Sequence, residues 1–220
     1  MKKTEMKKYI CSNSKDGLFN LLADAITKIL NLFNFVEFFK LFVVFIVCLI
    51  KKTTCDEEKK RYISRIAIDI FIFLKWILLI VLILKEYESC FTTKIIWYLL
   101  FFNLYTYFYY HIWKNENVLK HKSVERTRGR FINLISSIIF SNFCFAYLYK
   151  YCYTESFQWG EKGDLGISNS LWFSFANSLT VNYDLITPIN ELGHNLITLQ
   201  VIVSFIFLTM ILGNSIPKSD

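Results

Sequence analysis

Glycine and proline are scarce in this 220-residue chain, with 7 and 2 copies respectively. That excludes long flexible or proline-stiffened linkers and leaves few residues suited to a left-handed backbone. Histidine is scarcer than glycine: His111, His121 and His194 are too scattered for a metal site, and no H-E-x-x-H motif of an intramembrane metalloprotease occurs. The six cysteines, Cys11, Cys48, Cys55, Cys90, Cys144 and Cys152, follow neither a zinc spacing nor the framework of a small secreted fold. Cys48 and Cys144 lie inside apolar runs, where cysteine behaves as a small hydrophobe. A Cys90–Cys152 bridge is conceivable only if both face outside, and it is not expected. No cleavable leader is expected either, because the polar, basic start is not followed by a short apolar run with a small-residue cleavage site.

Apolar residues are abundant. Hydrophobic residues make up 54% of the chain and aromatic ones 18%, and the mean hydropathy is +0.36. A soluble domain of this length has no use for so much apolar surface, so a membrane protein is expected. The net charge of +7 sits in short basic stretches between apolar runs, as in cytoplasmic loops, and needs no nucleic-acid partner.

A helix crossing the hydrocarbon core needs roughly 20 largely apolar residues. Four segments are expected to cross: Ile66 to Leu84, Ile95 to Trp113, Phe131 to Tyr149 and Asn195 to Gly213. The N-terminal region is more open. Gly17 to Phe33 has an amphipathic pattern that suits a helix lying in the interface. Leu41 to Ile50 is short unless its helix starts near Phe35 and tolerates Glu37 and Lys40. The region could lie in the interface, dip into the bilayer or make short crossings. The chain therefore divides into residues 1–61, basic and then amphipathic or spanning; 62–130, two helices and a basic loop; and 131–220.

The loop "KNENVLKHKSVERTRGR" is the most basic connection and is expected in the cytoplasm. "KKTTCDEEKKR" is then cytoplasmic as well, "TESFQWGEKGDLGIS" lies outside, and the last helix brings the C-terminus back inside. In the first expected crossing, Ile66 to Leu84, Lys75 lies mid-helix. It is expected to snorkel or to pair with Asp69, since no repeated arginine makes a voltage sensor.

Residues 131–220 carry the functional signal. After the outer helix, 131–152, comes a polar loop holding three of the seven glycines. "NSLWFSFANSL" follows, aromatic but too short to cross, with Ser168 or Asn169 suited to cap its start. "TVNYDLITP" comes next, and a full-length helix begins near Asn190. Non-helical backbone at membrane depth is tolerated only beside protein or a water-filled cavity. The expected fold is therefore an all-α polytopic integral membrane protein. A re-entrant pore helix, 169–179, and a filter loop, 180–184, precede the last transmembrane helix, 190–213.

This order resembles the pore module of the potassium-channel superfamily, whose filter reads T-V-G-Y-G-D and often continues I-x-P. Thr180, Val181, Tyr183, Ile186, Thr187 and Pro188 stand where a T-V-G-Y-G-D-I-T-P sequence would have them. Trp172 falls at a common pore-helix tryptophan, and "PINELG" matches the P-x-x-x-x-G start of an inner helix. The likeness covers Phe131 to Gly213. It implies a homotetramer in the cell membrane, with three further copies of the chain around one axis and no cofactor. A monovalent cation, potassium first, would pass through rings of backbone carbonyls.

On that likeness, Thr180, Val181, Asn182, Tyr183 and Asp184 hold the ion and Trp172 supports them. Thr198, Ile202, Phe205 and Thr209, with Asn195 and Leu212, share one helical face that would line the inner cavity. Ordinary helix packing explains that face equally well.

Departures from the pattern are specific. Asn182 and Asp184 replace the filter glycines and are expected to take its left-handed backbone positions. Leu185 replaces the outer aspartate, leaving Asp184 to accept the Trp172 indole bond or to ring the outer mouth with carboxylates. The alternatives are a non-selective cation channel, or a pore-derived scaffold or partner subunit that does not conduct. No nucleophile, base and metal converge in the sequence, so the chain is not expected to be an enzyme.

Overall fold

A computed structural model describes residues 22, 25–30, 34–51, 57–108, 124–160 and 166–215. Within these residues the chain is mostly helical, with one small two-stranded ribbon. Three helices are long and apolar enough to cross a membrane: Tyr62–Leu84, Phe131–Cys152 and Glu191–Thr209. The chain divides into two compact units, Met1–Phe71 and Ile72–Asp220.

In the first unit, residues 25–30 are helical and α1 runs Phe35–Lys51. Asn34 starts it, its side-chain oxygen accepting the Val36 N–H at 3.1 Å. Glu37 and Lys40 pair with each other at 2.7 Å. This pairing of neighbours three residues apart lets an otherwise apolar helix begin at Phe35 despite two charges. The ring of Phe71, on α2 (Glu57–Leu84), packs against Phe35 and Phe39.

The second unit holds the rest of α2, then α3 (Cys90–Phe108) and α4 (Val124–Tyr147). Next come a π-helical turn Leu148–Cys152, a 3-10 turn Thr154–Ser156 and β1 (Phe157–Trp159). The last elements are α5 (Ile167–Ser178), β2 (Ile186–Pro188) and α6 (Glu191–Ser215). α4 is the central rod and packs against α3, α5 and α6. In its C-terminal half Phe140, Cys144, Phe145 and Tyr147 are fully buried. Tyrosines at its end tie it to its neighbours: Tyr147 donates to the Tyr87 carbonyl, and Tyr153 accepts from the Trp97 indole at 3.0 Å.

Four crossings were expected, but three helices meet both length and apolarity among the described residues. The 95–113 segment does form a helix, α3, as far as Phe108, and residues 109–113 lie outside the described part. α3 carries Thr92, Thr93, Lys94 and Asn103, which dilute its apolar character. Asn103 and Thr92 are buried against the other helices. Lys75 of α2 shows why. Its ammonium donates to the Asn103 side-chain oxygen at 2.7 Å and stands 4.4 Å from the Phe140 ring centre. The expected partner, Asp69, is exposed on the helix surface instead.

Cys90 and Cys152 are free thiols, and Cys152 accepts a hydrogen bond from Thr93 at 3.2 Å.

β1 and β2 pair antiparallel, with Phe157 opposite Pro188 and Trp159 opposite Ile186. Two further bonds extend the ribbon: Gly160 N–H to the Leu185 carbonyl at 2.8 Å, and Ile189 N–H to the Ser156 carbonyl at 3.0 Å. The ribbon thus joins the end of α4 to the start of α6 and closes the loop that contains α5.

Candidate functional site

α5 has 12 residues, a rise of about 18 Å at 1.5 Å per residue, well short of a bilayer core. It begins at Ile167, with Gly166 in extended backbone as its cap residue and no side-chain cap. Ser168 and Asn169, the expected caps, lie inside its first turn. Phe173 anchors it, with its ring 5.1 Å from Tyr149 and 5.8 Å from Phe157. Trp172 points the other way and is 66% exposed.

The helix ends at Ser178 in a defined motif. Val181 N–H donates to the Ala176 carbonyl at 2.8 Å and Thr180 N–H to the Asn177 carbonyl at 3.0 Å. Those two bonds make a Schellman cap, which needs a left-handed residue at the position of Thr180. Thr180 has φ 57°. The expected left-handed residues, Asn182 and Asp184, are not the ones that reverse the chain. A β-branched residue takes that position, because the helix end sets the requirement and not the tip of the loop.

From Val181 to Tyr183 the chain is neither helix nor strand, and Asp184 and Leu185 turn it into β2. Thr180, Val181, Asn182 and Asp184 are exposed, and Tyr183 is half-buried against Phe173 at 6.4 Å. The Tyr183 hydroxyl reaches the Asn169 side-chain oxygen at 3.4 Å. Asp184 accepts from the Asn182 amide at 2.5 Å, so its recorded partner is Asn182 and not the Trp172 indole. The Thr180 hydroxyl donates to the Leu179 carbonyl at 2.7 Å.

α6 starts under Asn190, whose side-chain oxygen accepts the Gly193 N–H at 2.9 Å. One face of the helix is buried, with Leu196, Gln200, Val203 and Phe207 turned inward. The face proposed as a cavity lining is the opposite one: Asn195, Thr198, Ile202, Phe205 and Thr209 are all exposed. Thr198 and Thr209 donate to the carbonyls of His194 and Ile206 on their own helix. His194 is exposed. The Leu212 side chain, His111 and His121 lie outside the described residues. Among the described residues no three His, Cys, Asp or Glu side chains cluster as metal ligands would.

Sequence reasoning missed the buried centre of this assembly. Gln200 is fully buried. Its amide nitrogen donates to Asn142 Oδ1 at 2.9 Å, to the Ser174 carbonyl at 2.9 Å and to Ser174 Oγ at 2.6 Å. Its oxygen accepts from the Tyr149 hydroxyl at 2.6 Å and the Asn177 amide at 2.8 Å. One side chain thereby links the α4 rod with its π turn, α5 and α6. A glutamine in the apolar run "NLITLQVIVSFIFL" was the available signal, since a buried amide must find partners for both ends.

No protein-family model, no curated protein and no solved structure matches the chain.

Proposed function

We propose that the chain is one subunit of a cation channel, homotetrameric and with potassium as its first expected ion, in which residues 180–184 line the ion path. One observation carries this reading. A helix too short to cross packs against α4 and α6, both long and apolar enough to do so, and delivers an exposed, non-helical segment between them. In a bilayer such backbone needs a water-filled cavity or protein around it, and its carbonyls can replace the hydration shell of a cation.

The exposed side chains fit this proposal. Trp172 and Val181 would meet neighbouring copies, and Thr198, Ile202, Phe205 and Thr209 would face the shared inner cavity. Four Asp184 carboxylates would concentrate cations at the outer mouth. The protein would sit in the cell membrane with its C-terminus in the cytoplasm, a placement that follows from the positive charge of the 114–130 loop.

A second reading, a pore-derived partner subunit that does not conduct, is favoured by Thr180. Its left-handed backbone and its hydroxyl bond to Leu179 depart from the regular carbonyl ladder of a filter. Purified protein in planar bilayers, with potassium on one side and sodium on the other, separates the two. Steady current with a reversal potential displaced toward potassium supports the selective channel, and current without displacement supports the non-selective one. A silent bilayer at verified incorporation removes both in favour of the second reading.

A further inference from the structure

We infer that Gln200 is the positioning residue of the 180–184 segment, holding its first residues through Asn177. The functional arm of this inference rests on the channel reading above; its structural arm does not.

The path is short and consists of recorded bonds. The Gln200 oxygen accepts the Asn177 side-chain amide at 2.8 Å. The Asn177 main-chain carbonyl accepts the Thr180 N–H at 3.0 Å, in the cap that sets the direction of the segment. A second donor contact from the Asn177 amide, to the Ile197 carbonyl at 3.3 Å, holds the same residue to the same helix. The last turn of α5 is therefore fastened to α6 one turn from where the exposed segment begins.

The other partners of Gln200 serve a different end. Asn142, Ser174 and Tyr149 fix the glutamine to α4, to its π-helical turn and to the middle of α5. Gln200 is also about one helical turn from Leu196 and about two from Phe207 on the buried stripe, while Thr198 and Ile202 flank it on the exposed face. A rotation or tilt of α6 that repositions those exposed residues must carry Gln200 with it, and Asn177 after it. Movement of α6 and the start of the 180–184 segment are thereby coupled through the carboxamides of Gln200 and Asn177.

Replacing Gln200 by leucine keeps a similar volume and removes both ends of the amide. The full chain, reconstituted in lipid nanodiscs, is compared by amide hydrogen exchange as wild type, Gln200→Leu, Asn177→Ala and Asn142→Ala. The expected result is faster exchange at Thr180 and Val181 in the first two variants, with the α6 core as protected as in wild type. Asn142→Ala, which removes one acceptor of the Gln200 amide nitrogen and leaves the Gln200 oxygen bonded to Asn177, is expected to match wild type at those amides. In bi-ionic recordings the first two variants are expected to lose potassium preference severalfold, and Asn142→Ala to keep it. Asn177→Ala keeps its main-chain carbonyl and carries the test if Gln200→Leu does not fold. Unchanged exchange at Thr180 and Val181 in Asn177→Ala overturns the inference, whatever the currents show. An equal effect of Asn142→Ala overturns it too, because the network would then be packing without direction. If the exchange pattern holds and the wild type carries no current, the positioning role stands and the channel reading falls.

Discussion

Gly193 rests against the main chain of Ser156: a Cβ at Gly193 would stand 2.5 Å from the Ser156 carbonyl oxygen and 3.1 Å from the Pro188 Cβ. That oxygen already accepts the Ile189 N–H that extends the ribbon, so it has no freedom to move aside. Gly193→Ala is therefore expected to lower stability by about 1–3 kcal/mol, the usual range for overpacking. Thermal unfolding of the detergent-solubilised chain reads it. Gly129 is the control, because nothing lies within 4 Å of its would-be Cβ. In a helix interior Gly129→Ala is expected to stabilise by up to about 1 kcal/mol. Equal melting temperatures for the two variants would show that the α6 start does not touch Ser156.

Thr180 occupies a conformation that suits glycine. A left-handed residue with a Cβ is disfavoured by about 1–2 kcal/mol, and β-branching makes it worse. Thr180→Gly relieves that strain but loosens the unfolded chain, so a net gain of about 0.5–1 kcal/mol is expected. Thr180→Val keeps both the branch and the strain while losing the hydroxyl bond to Leu179, and should not gain stability. The same pair of variants in bilayers asks a separate question: both lack the hydroxyl, so current retained in either one removes it as an essential ion ligand.

Much of this arrangement could be read from the residues. "NSLWFSFANSL" is apolar yet too short to cross, and it forms α5 within two residues of the expected bounds at the start and one at the end. Phe131 to Tyr149 and the run after Asn195 form long helices as their composition required. What stayed hidden is whatever depends on partners distant in sequence. Nothing local says that Gln200 meets Asn142, 58 residues away, or that Lys75 meets Asn103 and not Asp69. The left-handed residue was sought where the sequence pattern had lost glycines. The fold needs it at Thr180, ahead of both Asn182 and Asp184, because unsatisfied carbonyls at a helix end impose their own geometry.

Adjacent aromatic residues on α5 divide two tasks. Phe173 is buried among Tyr149, Phe157 and Tyr183, whereas Trp172 is mostly exposed. Phe173→Ala is expected to destabilise the chain by about 3–5 kcal/mol, as for other large core truncations. Trp172→Ala should leave the melting temperature of the dispersed monomer within error. If copies of the chain meet through this face, the same variant weakens their association in cross-linking or native mass spectrometry. A Trp172→Ala variant that melts like Phe173→Ala would place the indole inside the chain and remove it from any contact between copies.

Lys75 offers a sharper test of what holds a charge at membrane depth. The Asn103 oxygen receives both the Lys75 ammonium and the Ser137 hydroxyl, at 2.7 and 2.6 Å, while its amide donates to the Ser137 carbonyl at 3.0 Å. Asn103→Leu strips the ammonium of that oxygen without removing the charge. A hydrogen bond to a charged group contributes about 1.5–3 kcal/mol, and a loss of at least that size is expected. Lys75→Met removes the charge and leaves Asn103 its bonds to Ser137, so its effect should be smaller. The double variant is expected to be more stable than Asn103→Leu alone, a sign of coupling that a simple sum of the two losses cannot give. Denaturation of all four proteins in one detergent supplies the cycle. Strict additivity would mean that Lys75 satisfies its charge elsewhere, and that its 4.4 Å approach to the Phe140 ring, not the Asn103 oxygen, is what keeps it between the helices.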